Sequence, residues 1–348
     1  MRDELRVMTE NPLNAETVAK DMRSWITPNS RFFNRNQSQI MTEAIPLDGW
    51  RLSIVGEVER EVFLTFDEIL KMPKITVANT MECSGNGRAL LSKKAHGNPW
   101  TIGGVGNAVW AGIWLGDLLR RAGLKEGARH VSFEGLENQS GRATIKFIRS
   151  IPIEKALDST LLAYEMNGEP LPPEHGFPLR GLPLGWTGAN SVKWLSRITV
   201  MDRPFEGHFM DKVYRVFYEG QKPNEGEPCT AIPLKTIVTQ PLMGEVVKQE
   251  PVTVLGFAYG GDRDIASVEV SIDDGRTWNA AEMIGPRERY AWKQWRYLWT
   301  PPAAGEYAIM ARAIDEAGTC QPMNAEWNVL GYGNNGVTEH AVRVTVRE

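Results

Sequence analysis

Residues 75–88 read Ile-Thr-Val-Ala-Asn-Thr-Met-Glu-Cys-Ser-Gly-Asn-Gly-Arg, and no other stretch restricts the possible folds as sharply. Ile75 to Met81 is β-branched and largely apolar, with Pro73 before it, which is the pattern of a strand. The chain then turns through Gly85 and Gly87, which allow backbone conformations that other residues resist. A thiol, Cys83, is thus expected at the end of a rigid strand, beside a glycine-rich loop that finishes in Arg88. A soft sulfur ligand next to exposed amides and a guanidinium suits a metal that carries an anionic group. A single cysteine is more often inert core than ligand, so the rest of the chain has to decide.

Two textures divide the sequence. From about residue 30 to 235, strand signals such as Trp50-Arg-Leu-Ser-Ile-Val55 and His130-Val-Ser-Phe133 alternate with short helix signals. Leu115-Gly-Asp-Leu-Leu-Arg-Arg-Ala-Gly123 has apolar spacing, a basic last turn and a glycine stop, the marks of a helix end. From 236 to 348 the pattern is all-β. Ala266–Ile272 alternates strictly, placing Val268, Val270 and Ile272 on one face and Ser267, Glu269 and Ser271 on the other. Asp273-Asp-Gly275 reads as a turn, with Arg276-Thr-Trp278 beginning the return. Gly305–Ala313 and Ala341–Val346 are further strands, and the whole region points to an immunoglobulin-like sandwich. Residues 226–233, punctuated by Pro228 and Pro233, form the linker. Residues 1–29 read as an extension in which Asn14 caps a short helix over 15–22.

A chain of 348 residues holds about two domains. A net charge of -4 supplies no electrostatic reason to expect nucleic acid or an anionic membrane. An anion site must therefore be a local pocket. Three scattered cysteines make neither a disulfide framework nor a Cys-x-x-Cys metal site, and the haem-attachment run Cys-x-x-Cys-His does not occur. No secretory pattern opens the sequence, so the expected location is cytoplasmic, or periplasmic if a leader has been removed. Four further clusters carry chemistry. Arg31-Phe-Phe-Asn-Arg-Asn-Gln37 sets arginines and amides behind packing aromatics. Leu171–Arg180 is a proline-fixed loop with His175 and Arg180 as donors. Gly185–Trp194 brings backbone close and carries Ser191 and Lys193. Asp211-Lys-Val-Tyr-Arg215 places Tyr214 among bases. Each of these alone also reads as an ordinary loop or packed residue.

Together the clusters resemble the sulfite oxidase family of molybdenum enzymes, over nearly the whole chain from Phe32 onward. The family's Phe-x-Arg-Asn-His, Cys-x-Gly-Asn-x-Arg, His-Gly-Phe-Pro-x-Arg and Gly-Ala-x-x-Val-Lys-Trp-Leu motifs occur in order. They stand as Phe33–Gln37, Cys83–Arg88, His175–Arg180 and Gly188–Leu195. The resemblance implies an α+β chain: a mixed α/β molybdopterin domain over 30–235, then an immunoglobulin-like dimerisation sandwich over 236–348. It implies one molybdenum–molybdopterin cofactor per chain, with Cys83 as the protein's metal ligand. Phe33, Asn34, Arg35, Asn36, Gln37, Glu137, His175, Arg180, Ser191, Val192 and Lys193 would hold the pterin. Arg35, Arg88 and Tyr214 would face the substrate, with Lys293 or its competitor Arg296 reaching in from the sandwich.

Three departures bear on substrate. Gln37 replaces the histidine of the first motif, Glu137 stands where the animal enzymes have an aspartate, and Val213 and Arg215 flank the tyrosine in place of an acid and a lysine. The expected reaction is oxidation of sulfite to sulfate by oxygen-atom transfer. Electrons would pass to an external acceptor such as a c-type cytochrome, and no haem domain is expected. Reduction of nitrate or of a sulfoxide on the same scaffold is the alternative that Gln37 encourages. The expected assembly is a homodimer, with neither a nucleic acid nor a membrane as partner.

Overall fold

The computed structural model describes residues 4–38, 45–138 and 145–348. The fold is mostly β, and its helices are short. Thr65 caps Phe66–Leu70 by accepting from the Glu68 amide while the Glu68 carboxylate returns to the Thr65 amide, a closed capping box. The helix Leu115–Ala122 stops at Gly123, whose φ of 74° lets its amide close on the carbonyl of Leu119.

Two sheets build the first region. One is mixed, in the order Val62–Thr65, Arg51–Gly56, Leu195–Met201, His130–Gly135, Ile148–Pro152, with only Arg51–Gly56 and Leu195–Met201 parallel. The other is antiparallel and runs Glu169–Pro170, Thr160–Met166, Val105–Trp114, Ile75–Glu82, with Arg180–Pro183 also paired to Thr160–Met166. Leu52, Ile54, Ile113, Leu118, Phe133, Leu162 and Leu195 belong to the main core, all essentially without exposure. Burial of side chains this size contributes roughly 1.5–3 kcal/mol each before chain entropy is counted.

The C-terminal region is a sandwich. Lys235–Gln240, Val252–Tyr259, Lys293–Trp299 and Glu282–Ile284 form one sheet. Val246–Lys248, Val342–Arg347, Gly305–Asp315, Ile265–Ser271 and Asn279–Ala280 form the other. Val268 and Val270 enter its core as the alternation predicts, with Ile272 packed against it. Ser271 departs from the pattern and is fully buried. Its hydroxyl donates to Asp273 at 2.8 Å and accepts from the Gly275 amide at 2.9 Å, so it organises the turn rather than facing water. The return strand is confined to Asn279–Ala280, later than Arg276.

The N-terminal helix is overturned. Leu13–Thr17 is a strand paired with Leu5–Glu10, and only Ala19–Asp21 makes a single tight turn. Eight residues are too few to hold a helix without packing. Here Ala15 instead bridges to Asn34 through a reciprocal pair of backbone bonds at 2.9 and 2.8 Å.

Ile75–Glu82 runs from a partly exposed start to a fully buried end. Its last residues are covered by the sandwich: the Thr80 amide donates to the Tyr290 carbonyl at 2.8 Å, and the Trp292 amide donates to the Thr80 hydroxyl at 2.7 Å. The strand therefore delivers Cys83 to the junction between the two regions.

Candidate active site

Cys83 lies between two connected chambers. The inner one is lined by Phe33, Asn34, Arg35, Asn36, Gln37, Glu137, His175, Arg180, Ser191, Lys193 and Tyr214. Residues from four separated sequence motifs thus meet in one cavity. Each is placed by local structure. Phe32 wedges against Phe33, Trp110 and His175 at centroid distances of 5.3, 5.9 and 5.5 Å, and Gly106 leaves room for its ring. The Asn14 side-chain oxygen accepts from the Asn36 amide at 2.9 Å and from Arg35 Nη1 at 3.1 Å, which aims the arginine.

The inner chamber holds more cations than carboxylates, with Arg35, Arg180 and Lys193 against Glu137. Arg180 is held by neutral acceptors, Ser191 Oγ at 2.7 Å and the His175 carbonyl at 3.0 Å, and burial lowers its pKa to about 9. Lys193 bonds Asn36 Oδ1 and the Glu174 carbonyl, and burial, then Arg180, pushes its pKa well down. His175 is driven to about 3 by burial and by the same two cations, so it is a neutral imidazole. Glu137, the chamber's carboxylate, is raised to about 7 by burial. Ammonium and guanidinium groups buried this way are unfavourable until an anion joins them.

The outer chamber, about 510 Å³, shares Arg35, Gln37, Cys83, Phe147 and Tyr214 with the inner one and adds Arg88. Arg88 donates to the carbonyls of Leu330 and Asn98, each at 2.8 Å. Gly97 is needed there, because a Cβ would come within 2.7 Å of the guanidinium. Tyr214 adopts a φ of 56°, unusual for a residue with a side chain, and its hydroxyl accepts from Gln37 Nε2 at 2.6 Å. Burial raises the pKa of the Cys83 thiol, an effect that Arg35 and Arg88 oppose.

Three expected site residues, Val192 and the alternatives Lys293 and Arg296, reach neither chamber. Val192 is buried in the main core. Lys293 is buried in the sandwich, paired with Asp264 at 2.9 Å and bonded to the Glu288 carbonyl, while Arg296 is an exposed partner of Glu282. The residues that do enter from the C-terminal region are Leu330 and Tyr332, which the sequence reading did not select. Tyr332 stacks on Tyr214 at 5.7 Å, and Arg88 sits over its ring. Arg149 was also missed. It is buried behind Tyr214, 5.4 Å from the ring centroid, and bonds Asn190 Oδ1 at 2.9 Å and the Phe209 carbonyl. Its one visible signal was a charge inside the apolar run Phe147-Ile-Arg-Ser-Ile151.

Comparison with known proteins bears on this arrangement. A family model described as an oxidoreductase molybdopterin binding domain matches residues 39–209, and one described as a Mo-co oxidoreductase dimerisation domain matches 227–346. Sulfite oxidase of Gallus gallus is 35% identical over 349 residues, covering 94% of this chain and 75% of that protein. The chain belongs to the sulfite oxidase family of molybdopterin-binding oxidoreductases. Mitochondrial sulfite oxidase of Macaca fascicularis is 36% identical over 366 residues, which cover 98% of this chain and 66% of that relative. The sulfane dehydrogenase SoxCD of Paracoccus pantotrophus superposes with a TM-score of 0.82 at 27% identity, over 94% of this chain and 84% of that one.

The family's cofactor fits the inner chamber on two observations. Arg180 and Lys193 are buried cations that an anionic group such as a phosphate would offset. Asn34 Oδ1 is a buried acceptor without a protein donor among the described residues, ready for a ring N–H.

Proposed function

We propose that this chain oxidises sulfite to sulfate, passing electrons to an external one-electron acceptor such as a c-type cytochrome. The observation that carries the reading is the meeting of Arg35, Arg88 and Tyr214 around Cys83 where the two chambers join. The reaction balances as SO3²⁻ + H2O → SO4²⁻ + 2 H⁺ + 2 e⁻. Cys83 would ligate the metal, while Arg180, Ser191, Lys193 and His175 hold the pterin and its phosphate. When bound, the molybdenum cofactor supplies the oxygen atom and takes the electron pair.

The chain's own side chains bind and orient. Arg35 and Arg88 attract the oxyanion, and their fixed guanidiniums need no rearrangement as charge shifts toward the product. Tyr214 accepts a hydrogen bond from Gln37, which leaves its own O–H to donate elsewhere. Arg149 beneath the Tyr214 ring adds a cation that holds the ring in place. Two chains would pair through the C-terminal sandwich. The deciding experiment is a steady-state assay of molybdenum-replete protein against sulfite, nitrate and sulfoxides with artificial donors and acceptors. Sulfite-dependent reduction of ferricyanide is expected. Turnover of nitrate or a sulfoxide with none of sulfite would replace the substrate and leave the cofactor site intact.

A further inference from the structure

The outer chamber is larger and more apolar than an inorganic oxyanion requires. Its volume of about 510 Å³ falls among pockets that bury a small organic molecule, roughly 300–1,000 Å³. Its two guanidiniums, Arg35 and Arg88, stand beside Cys83, and His96 and His208 also line it. Its walls include Phe147, Phe209, Leu330 and Tyr332. Phe147 and Phe209 lie 4.9 Å apart, which makes a continuous aromatic surface. Arg88 is fixed by bonds from its guanidinium to the carbonyls of Leu330 and Asn98, so the two arginines offer one small anion site at a set place, with the aromatic walls beyond it. A four-atom dianion would use the floor and leave the walls wet. A singly charged sulfur oxyanion with an apolar substituent would use both.

We propose that the outer chamber recognises organosulfinates, R–SO2⁻ with R aryl or branched alkyl, and that this chain oxidises them to sulfonates. The proposal rests on the oxygen-transfer reading above and names a second substrate class for the same site. The step balances as R–SO2⁻ + H2O → R–SO3⁻ + 2 H⁺ + 2 e⁻. One S–O bond forms at the sulfur lone pair and sulfur is oxidised by two electrons. The O–H bonds of water release two protons, and two equivalents of a one-electron acceptor take the electrons. Sulfite presents the same lone pair and electron count, so one set of residues serves both. A neutral sulfoxide lacks the charge that Arg35 and Arg88 address.

The test uses the holoenzyme with ferricyanide and compares sulfite, methanesulfinate and benzenesulfinate. The expected kcat/KM for benzenesulfinate exceeds that for methanesulfinate by about tenfold or more, the scale expected when a phenyl ring leaves water. Calorimetry supplies a readout independent of turnover: the unreactive benzenesulfonate should bind about tenfold more tightly than methanesulfonate. Val213 also lines this chamber, and Val213→Trp should fill it and bring the two sulfinates to within about threefold of each other. Equal kcat/KM for the two sulfinates, with sulfite still oxidised, overturns the organosulfinate site and leaves sulfite oxidation standing. An aryl preference that survives Val213→Trp also overturns it. Failure to oxidise any of the three overturns both readings.

Discussion

At position 37 a single amide decides how the anion site is charged. Gln37 lines both chambers and bonds Tyr214 at 2.6 Å, yet it cannot become cationic. Gln37→His should therefore tighten sulfite binding at mildly acidic pH, where the imidazole is charged, and lose the gain as it deprotonates. A partly desolvated charge contact is worth ~1–3 kcal/mol, so about a tenfold lower Kd is expected near pH 5.5 and none near pH 8. Sulfite affinity that is flat across that range in the variant would refute the charge argument. His340 shows the opposite device, a residue kept neutral. It is buried, its ring bonds the Gly336 carbonyl at 2.8 Å, and burial together with Lys235 lowers its pKa to about 3 from 6.5. Its folded pKa is depressed, so the unfolded state binds the extra proton first. Its share of stability is complete above pH 6.5 and drains away as pH falls toward 3. Between pH 7 and 5 that loss is about 2 kcal/mol. Urea unfolding of His340→Gln should show a correspondingly smaller drop over the same interval.

Among the elements, the pairing of Val105–Trp114 with Thr160–Met166 depends on one missing side chain. Register shifts between Ala111 and Gly112, and the two backbones approach so closely that a Cβ on Gly112 would lie 2.7 Å from the Leu162 carbonyl carbon. Backbone cannot yield as a flexible side chain does. Gly112→Ala should cost about 2–4 kcal/mol and lower Tm by several degrees, because the shifted strand also holds Ile75–Glu82 and hence Cys83. An unchanged melting curve would mean that the sheet adjusts at this bulge without loss.

For the molecule as a whole, the two regions are locked by a buried ion pair beside the thiol. Lys235 Nζ meets Glu82 Oε1 at 2.6 Å with both side chains essentially inaccessible, and Tyr259 and Asn86 donate to the same carboxylate at 3.0 and 2.9 Å. Removing one partner leaves a buried charge alone. Lys235→Met should therefore destabilise by about 3–5 kcal/mol, while Glu82→Gln combined with Lys235→Met should restore more than half of it. A double variant no better than the single would show that the lysine acts through packing alone. The proposed dimer is checked by light scattering at micromolar concentration, where about twice the chain mass is expected. A monomer with molybdenum bound would refute it.

Much of this was legible in the residues because it is local. Alternation marked Val268 and Val270 as core, a glycine stop ended the helix at Ala122, and the motifs around Arg35, Cys83, His175 and Lys193 named most of the lining of the inner chamber. Periodicity, capping and turn chemistry act over a few residues, and sequence records them directly. Long-range placement was not recorded there. Asn14 looked like a helix cap and proved to aim Arg35 across 21 positions. Lys293 stood at a plausible distance along the chain, yet its ammonium turns into the sandwich toward Asp264. Leu330 carried no signal of its own, but its carbonyl fixes Arg88 from 242 positions away and its side chain helps wall the outer chamber. The sequence by itself determined which chemical groups the chain brings to the site. Only the tertiary structure decided which of them meet: packing within the first region gathers the inner chamber, and closure of the sandwich brings Leu330 and Tyr332 to the outer one, because contact between distant residues is set by how separate elements close on each other.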